Sequence, residues 1–427
     1  MCDPIEVQPV SGVNAAVHVP GSKSYTQRAL VIASLAEGQS FLQGPLVSED
    51  TDYLIEALQV LGAQVLPSGK NLAITGTGGS IAPPRRPIFL GNNGTGARFL
   101  LSMASLGNGD YHLTGSPRLC QRPMKPLLDA LRSLGGASTC EGKEGYLPLT
   151  MHAQGIQGGK ATFSEVESSQ YISSLLISAP HARKDVEIEV KGFTASRPYI
   201  AMTLEVMKHF GVSVEREVGK RYFLRSGQRY RGTSYAVEGD ASSASYFFLA
   251  AAICRGTVRV SPMNRKTLQG DGKFLGTLEE LGCAVSSGGS CVEVEGGPLP
   301  AGDRVFDMGD MPDMVPTLAV LSAVRPGRTV IRNAAHLRIK ESNRLEALAR
   351  ELAKTGIRAE EREDGLVVEG GSPRGAEIET YNDHRIAMSF AMLGLAVPGM
   401  RIQDGSCVRK SFPGFWEELG KLYGNRP

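Results

Sequence analysis

Residues 54–65 read LIEALQVLGAQV, residues 127–138 LLDALRSLGGAS and residues 203–214 TLEVMKHFGVSV. Further along come LGTLEELGCAV (275–285), LEALARELAKTGIRA (345–359) and WEELGKLYG (416–424). Each stretch carries apolar residues at helical spacing, then a glycine, and the first five continue into a short β-prone run. The glycines are Gly62, Gly135, Gly211, Gly282, Gly356 and Gly424, at intervals of 73, 76, 71, 74 and 68 residues. A glycine just past a helix supplies the left-handed backbone with which many helices end. Such a signal is weak alone, but six at near-constant spacing define an internal repeat that fills the chain.

A second series runs out of phase with the first. SKSYTQRALVIASLA (from Ser22), NNGTGARFLLSMASL (from Asn92) and SSQYISSLLISA (from Ser168) are apolar on nearly every side once past a polar start. So are DASSASYFFLAAAI (from Asp240), PDMVPTLAVLSAV (from Pro312) and NDHRIAMSFAMLGLAV (from Asn382). Helices without a polar face belong in a core. Short β-branched runs, such as VEIEVKGF and TVIRNA, lie between the helices. Each unit of about 70 residues therefore reads as two helices and several strands, which gives an α/β protein of six repeats, two halves of three. The repeat alone does not place the boundary between the halves.

Glycine makes up 51 of 427 residues, about 12% against a usual ~7%, beside 41% hydrophobic residues. Turns around real cores account for both. The net charge of +2 argues against a nucleic-acid coat or a membrane-surface protein. Seven scattered cysteines (2, 120, 140, 254, 283, 291, 407) without a CxxC pair fit a reducing compartment. The start, Met1-Cys2-Asp3-Pro4, has no secretory pattern, and no run approaches a spanning helix, so a cytoplasmic location is expected.

The polar helix starts are places where unpaired backbone N–H groups and the helix dipole favour an anion. Ser, Asp and Asn also cap helices without any ligand, and that suffices for the Asp240 and Pro312 starts. Elsewhere cations gather: Lys23, Arg28, Arg98, Arg122, Lys340, Arg344, Arg385 and Lys410. Singly, each is an ordinary surface charge. Together, in a nearly neutral protein, they point to a small, highly anionic ligand, since arginine suits bidentate contact with carboxylate or phosphate. GNNGTGARF is neither a dinucleotide fingerprint nor a P-loop, and His336 and His384 lack metal-ligand spacing.

These motifs together resemble the 5-enolpyruvylshikimate-3-phosphate synthases. The resemblance runs from PGSKSYTQRAL through LGNNGTGAR, QRPM, SSQYISSLL, SRPYI, EGDASSASYF, PDMVPTLAV, RIKESNRL and YNDHRIAMSF to KSFPGF. It implies the enolpyruvyl transferase-like fold, with two similar domains of three βαβαββ-type repeats closing over a central cleft. Residues 1–20 plus 240–427 would form one domain and 21–239 the other, with hinge crossings near Gly21 and Asp240. It further implies transfer of the enolpyruvyl group of phosphoenolpyruvate to the 5-hydroxyl of shikimate 3-phosphate by a cytoplasmic monomer that uses no cofactor, metal, nucleic acid or membrane.

By the same resemblance, shikimate 3-phosphate would be held by Lys23, Ser24, Arg28, Ser168, Ser169, Gln170, Ser196, Tyr199, Asp313, His336 and Lys340. Phosphoenolpyruvate would be held by Lys23, Asn92, Gly94, Arg122, Gln170, Arg344, Arg385 and Lys410. Asp313 matches the general base, and Glu341 or Lys23 the acid that protonates the methylene carbon. Three departures stand out: Asn343 in KESNR for a common aspartate, His336 for a frequent asparagine, and Asn93 and Phe99 in GNNGTGARF. The retained Gly94 implies inhibition by glyphosate. The sister family acting on UDP-N-acetylglucosamine has an asparagine after the first lysine and a cysteine five residues before the loop arginine, where this chain has Ser24 and Pro117. A third reading, a non-catalytic shikimate-phosphate binder, is disfavoured by the intact Asp313, Glu341, Lys23 and Arg122.

Overall fold

The computed structural model describes residues 3–424, so Cys2 lies outside the described residues. The other six cysteines are free thiols. The chain divides into two compact units, one of Gly21–Val237 and one of the flanking segments, up to Pro20 and from Glu238 onward. The division falls at Val237/Glu238 rather than 239/240 because the strand just before it, Ser234–Ala236, pairs back onto Gln39–Gln43.

The Gly21–Val237 unit contains helices α1 (Lys23–Leu35), α2 (Glu49–Val60), α3 (Gly94–Ala104), α4 (Lys125–Ser133), α5 (Gln170–Ser178) and α6 (Pro198–His209). The other unit contains α7 (Ala241–Cys254), α8 (Phe274–Glu280), α9 (Val315–Val324), α10 (Arg344–Lys354), α11 (His384–Ala396) and α12 (Phe415–Gly420). The odd-numbered helices are the apolar series: nearly every residue of α3, α5, α7, α9 and α11 is buried. Within one unit α7, α9 and α11 pack on one another, and within the other α3 packs on α5 and α6 on both α1 and α5. Small hydroxyls line these crossings, as where Ser102 meets Ser174 at 2.6 Å and Ser245 meets Thr317 at 3.2 Å.

The repeat is also visible in the sheets. Five have four strands in one topology: a lead strand parallel to the second, then two antiparallel steps. Arg304–Asp307, Gly327–Arg332, Gly365–Gly370 and Arg358–Arg362 are one such row. Two lead strands change places. Asn14–His18 precedes α1 in the chain but belongs, with its partner Thr257–Ser261, to the unit of the flanking segments, while Ser234–Ala236 precedes α7 yet completes the sheet after α1. Where the chain passes between units, the Asp240 amide donates to the Pro20 carbonyl at 2.9 Å. A Cβ on Gly21 would collide with the Gly44 carbonyl, so this glycine serves backbone packing there rather than approach to an anion.

Five repeat glycines end their helices identically. At Gly62 the following amide, Ala63, donates to Leu58, while Gly62 itself donates to Gln59, each at 3.1 Å. The same pair of bonds recurs at Gly135, Gly211, Gly282 and Gly356, and all five have φ between +83° and +107°. This double closure satisfies carbonyls that would otherwise be orphaned at the helix end. The sixth copy departs from the pattern: α12 stops at Gly420, and a 3-10 turn, Lys421–Tyr423, leads to Gly424. Its sheet has three strands, Ile5–Val7 joining Met400–Ile402 and Glu377–Ile378. No described helix is long and apolar enough to cross a membrane.

Two glycines separate backbone strain from space. Gly211 has φ +89° and nothing within 4 Å of a built Cβ; Gly276 sits on the exposed side of α8 with equal room. Gly211→Ala should therefore destabilise by about 1–2 kcal/mol, whereas Gly276→Ala should stabilise by about 0.5–1 kcal/mol. Thermal or urea unfolding checks both, and a neutral Gly211→Ala would contradict the left-handed cap.

Candidate active site

Each unit gathers the N-terminal ends of its core helices, and each does so with a different balance of charge. In the Gly21–Val237 unit Ser22 caps α1, and Lys23 in its first turn reaches Asp50 at 3.2 Å. Asn93 links the next helix to the same place. Its amide donates to the Asp50 carbonyl at 2.6 Å, while its Oδ1 caps α3 by accepting from Gly96 at 2.8 Å. Beside it a Cβ on Gly94 would lie 2.5 Å from Arg122 Nη1, so glycine is what lets this buried guanidinium rest on the first turn of α3. Arg122 also donates to the Asn92 carbonyl at 3.5 Å.

Arg28 is only 1% exposed, and its side chain donates to neutral oxygens. Nε donates to Thr203 Oγ1 at 2.7 Å, Nη1 to the Ser24 carbonyl at 2.9 Å, and Nη2 to the Tyr199 carbonyl at 3.1 Å and to Ser173 Oγ at 3.4 Å. The rings of Phe99 and Tyr199 face it at 5.3 and 5.7 Å. Among the described residues no carboxylate pairs with it. Burial alone pulls the guanidinium down to about 10, with nearby tyrosines opposing. A buried cation without a counter-ion carries a desolvation cost that an anionic ligand would offset. Phe99, unusual in the sequence, is a wall of this pocket.

Arg98 behaves otherwise than its place in the cation cluster suggested. It is buried, donates to Gln170 Oε1 and to the Pro123 carbonyl, and stacks 4.9 Å over Tyr171. Gln170 in turn donates to Thr95 Oγ1 at 2.9 Å. Arg98 thus orients Gln170 between α3 and α5. Ser168 accepts from the Gln170 amide at 3.3 Å, Ser169 stands at the start of α5, and Ser196, with φ +61°, opens the turn into α6 beside Tyr199.

The second unit carries its own counter-ions. Arg344, 1% exposed, donates from Nε to Asp383 at 2.7 Å, from Nη1 to Asp313 at 2.9 Å and from Nη2 to Glu341 at 2.7 Å. Arg385 donates from Nη2 to the other Asp313 oxygen at 2.7 Å and from Nη1 to Tyr246 at 3.3 Å. Asp383 also caps α11 through the Arg385 amide and accepts from Ser342 at 2.9 Å. Burial raises the Asp313 carboxyl, but Arg385, Arg344 and Lys340 outweigh it and hold the group well below the usual carboxylate range. Asp313 is here a counter-ion, not yet a base. Ser242 connects Arg385 to the buried Asp271, whose carboxyl is pushed up to about 7 by burial and by the negative charge of Asp313.

His336 is buried against this cluster. Desolvation, then Lys340, lowers its imidazole to about 3, so the ring is neutral, and its Nε2 makes no hydrogen bond among the described residues. Asn343 begins α10 without capping it, donating instead to Glu346 at 3.0 Å. Lys410, at the end of a 3-10 turn, is buried. Asp50, Asp271 and Asp383 escaped the sequence reading. For Asp383 the signal lay in YNDHRIAM, where a capping aspartate immediately precedes the His-Arg start of an apolar helix.

Comparison with known proteins decides the family. The model described as EPSP synthase (3-phosphoshikimate 1-carboxyvinyltransferase) matches residues 7–419. The chain belongs to the EPSP synthase family. A 3-phosphoshikimate 1-carboxyvinyltransferase of Syntrophobacter fumaroxidans is 43% identical over 419 residues, which are 97% of this chain and 99% of that one. One from Methanoculleus marisnigri is 42% identical over 416 residues, 97% of this chain and 98% of its own. The EPSP synthase structure from Acinetobacter baumannii superposes with a TM-score of 0.80 at 27% identity, covering 99% of this chain and 98% of that one. The mixed α/β architecture with many small sheets is therefore that of EPSP synthases.

Asp271 gives this family member a pH signature. Its folded carboxyl is raised from 3.8 to about 7, so between those values the folded state binds more protons and stability falls as pH rises. Asp271→Asn, which keeps an acceptor for Ser242, should gain in Tm over the parent progressively from pH 5 to pH 8. A Tm difference independent of pH would show that Asp271 is ionised throughout.

Proposed function

We propose that this chain transfers the enolpyruvyl group of phosphoenolpyruvate to the 5-hydroxyl of shikimate 3-phosphate and releases phosphate. Its full-length similarity to 3-phosphoshikimate 1-carboxyvinyltransferases supports the activity. The observation that carries the mechanism is the Arg344–Asp313–Arg385 cluster with Glu341 at its edge.

In the first step the 5-hydroxyl oxygen bonds to C2 of phosphoenolpyruvate and gives up its proton, while the C3 methylene gains one. The product is a tetrahedral adduct that still bears phosphate. In the second step the new methyl group loses a proton as the C2–O bond to phosphate breaks, which restores the enol ether. Asp313 takes the hydroxyl proton, and Glu341 or Lys23 supplies the proton to C3. Arg344 and Arg385 are occupied by Asp313 and Glu341 in the structure described. A phosphate or carboxylate of phosphoenolpyruvate competes for the same guanidinium groups. By taking them over, it frees Asp313 from its strongest partners and lets its carboxyl rise toward a useful basicity. Lys410 adds a third cation on that unit.

On the other unit Arg122, Asn92, Gly94, Lys23 and Gln170 receive phosphoenolpyruvate over the first turn of α3. Lys23, Ser24, Arg28, Ser168, Ser169, Gln170, Ser196 and Tyr199 receive shikimate 3-phosphate, whose negative charge compensates the buried Arg28. Asp313, His336 and Lys340 are the remaining residues of the proposed shikimate 3-phosphate set. Holding both substrates by fixed cations gives the reaction much of its intramolecular advantage. The units act as domains with crossings near Gly21 and Asp240, and the enzyme works as a cytoplasmic monomer on small molecules, without nucleic acid.

Phosphate release from phosphoenolpyruvate should depend on shikimate 3-phosphate and be absent with UDP-N-acetylglucosamine; the reverse pattern would move the chain to the sister activity. Asp313→Asn should lower turnover by about 10²–10⁴-fold, the range for a lost acid–base group, while shikimate 3-phosphate still binds by calorimetry. A further variant isolates Arg122. Gly94→Ala, whose new Cβ would displace the guanidinium, should raise the KM for phosphoenolpyruvate by about tenfold, the equivalent of one weakened charged contact. Its KM for shikimate 3-phosphate should change little. An unaltered phosphoenolpyruvate KM would mean that the guanidinium need not rest on α3.

A further inference from the structure

The Gly21–Val237 unit has a cavity of about 180 Å³ whose walls come from α6 and the strands Val186–Thr194, Glu215–Glu217 and Arg221–Leu224. Its inner surface is apolar, formed by Val190, Ile200 and the buried Tyr222. That volume is close to the ~150 Å³ of an apolar cavity that admits a single benzene ring. Val218, another lining residue, is 80% exposed, an apolar side chain that the fold itself leaves uncovered.

Arg197 and Arg216 also line the cavity. Neither guanidinium makes a hydrogen bond or ion pair with any described residue. Both lie near the Tyr222 phenol, where they oppose the rise that burial imposes on it. Two like charges converge on one apolar hollow without a carboxylate between them. Arg197, Ile200 and Leu204 place the hollow along the first turns of α6, the positive end of that helix. Thr194 lines it too; this residue is 3% exposed and its hydroxyl has no hydrogen-bond partner. Buried polar atoms rarely stay unsatisfied.

The geometry points to a ligand site: we infer that this cavity binds a small carboxylate with a ring-sized apolar body. The body would fill the hollow under Val218, and the carboxylate would meet Arg197 and Arg216, whose planar guanidinium groups suit it. This inference does not depend on the enolpyruvyl-transfer reading, because none of these side chains belongs to the substrate sites proposed above.

The test is titration of 3-phenylpropionate into the full chain, followed by calorimetry and protein-observed NMR. Its neutral counterpart 3-phenylpropan-1-ol and inorganic phosphate alone are titrated in parallel. Saturable one-to-one binding with Kd on the order of 1 mM is expected, a weak-ligand affinity. The alcohol and phosphate should each bind at least about tenfold more weakly, having lost one of the two contacts. The double variant R197Q/R216Q should weaken 3-phenylpropionate at least about tenfold, and so should V218E, which places a negative charge at the mouth. Either variant that keeps the parent Tm decides the matter. Unchanged binding in it, equal binding of the alcohol or of phosphate, or loss of binding in Arg122→Gln instead would overturn the assignment. So would absence of saturation.

Discussion

A guanidinium sealed from water must be met by negative charge or by neutral hydrogen-bond acceptors, and the candidate site follows from which of the two each unit supplies. Arg344, at 1% exposure, is surrounded by Asp383, Asp313 and Glu341. Arg28, equally buried, has only neutral oxygens and two aromatic rings. One unit therefore carries carboxylates that a substrate can displace, and the other a cation that a substrate can complete. Removing a single partner from a buried pair costs about 3–5 kcal/mol, so these groups constrain the fold as well as the chemistry.

Within each unit the fold brings such groups together through its repeat. Each apolar helix runs inward from a polar start, and packing the helices on one another collects their N-termini. The left-handed glycine at the end of each amphipathic helix turns the chain back into the sheet, so the next apolar helix begins at the same end. The exchange of lead strands does not disturb this arrangement, since Asn14–His18 and Ser234–Ala236 fill equivalent places in equivalent sheets.

Much of this was legible in the residues. Gly62, Gly135, Gly211, Gly282 and Gly356 announced themselves because a left-handed helix end leaves a glycine, and five carry the same pair of closing hydrogen bonds. The exchanged strands were not legible: runs of three to five residues hold no record of their partners. Neither was the role of Arg98, because a cation at a helix start looks the same whether it awaits a ligand or props Gln170. The ion pairs of Asp313 with Arg344 and Arg385 were hidden for a related reason. The sequence places these three residues on different helices, and only tertiary packing shows that in the structure described the proposed base and the proposed substrate-binding cations neutralise one another.

The carboxyl of Asp313 reports directly on that mutual neutralisation. Its titration can be followed by ¹³C NMR in the free chain and in an equilibrium mixture saturated with phosphoenolpyruvate, shikimate 3-phosphate and their products. The account predicts a carboxyl held below the ordinary range in the free chain, which moves upward once substrate anions occupy Arg344 and Arg385. A carboxyl that stays equally depressed with both substrates bound would contradict it.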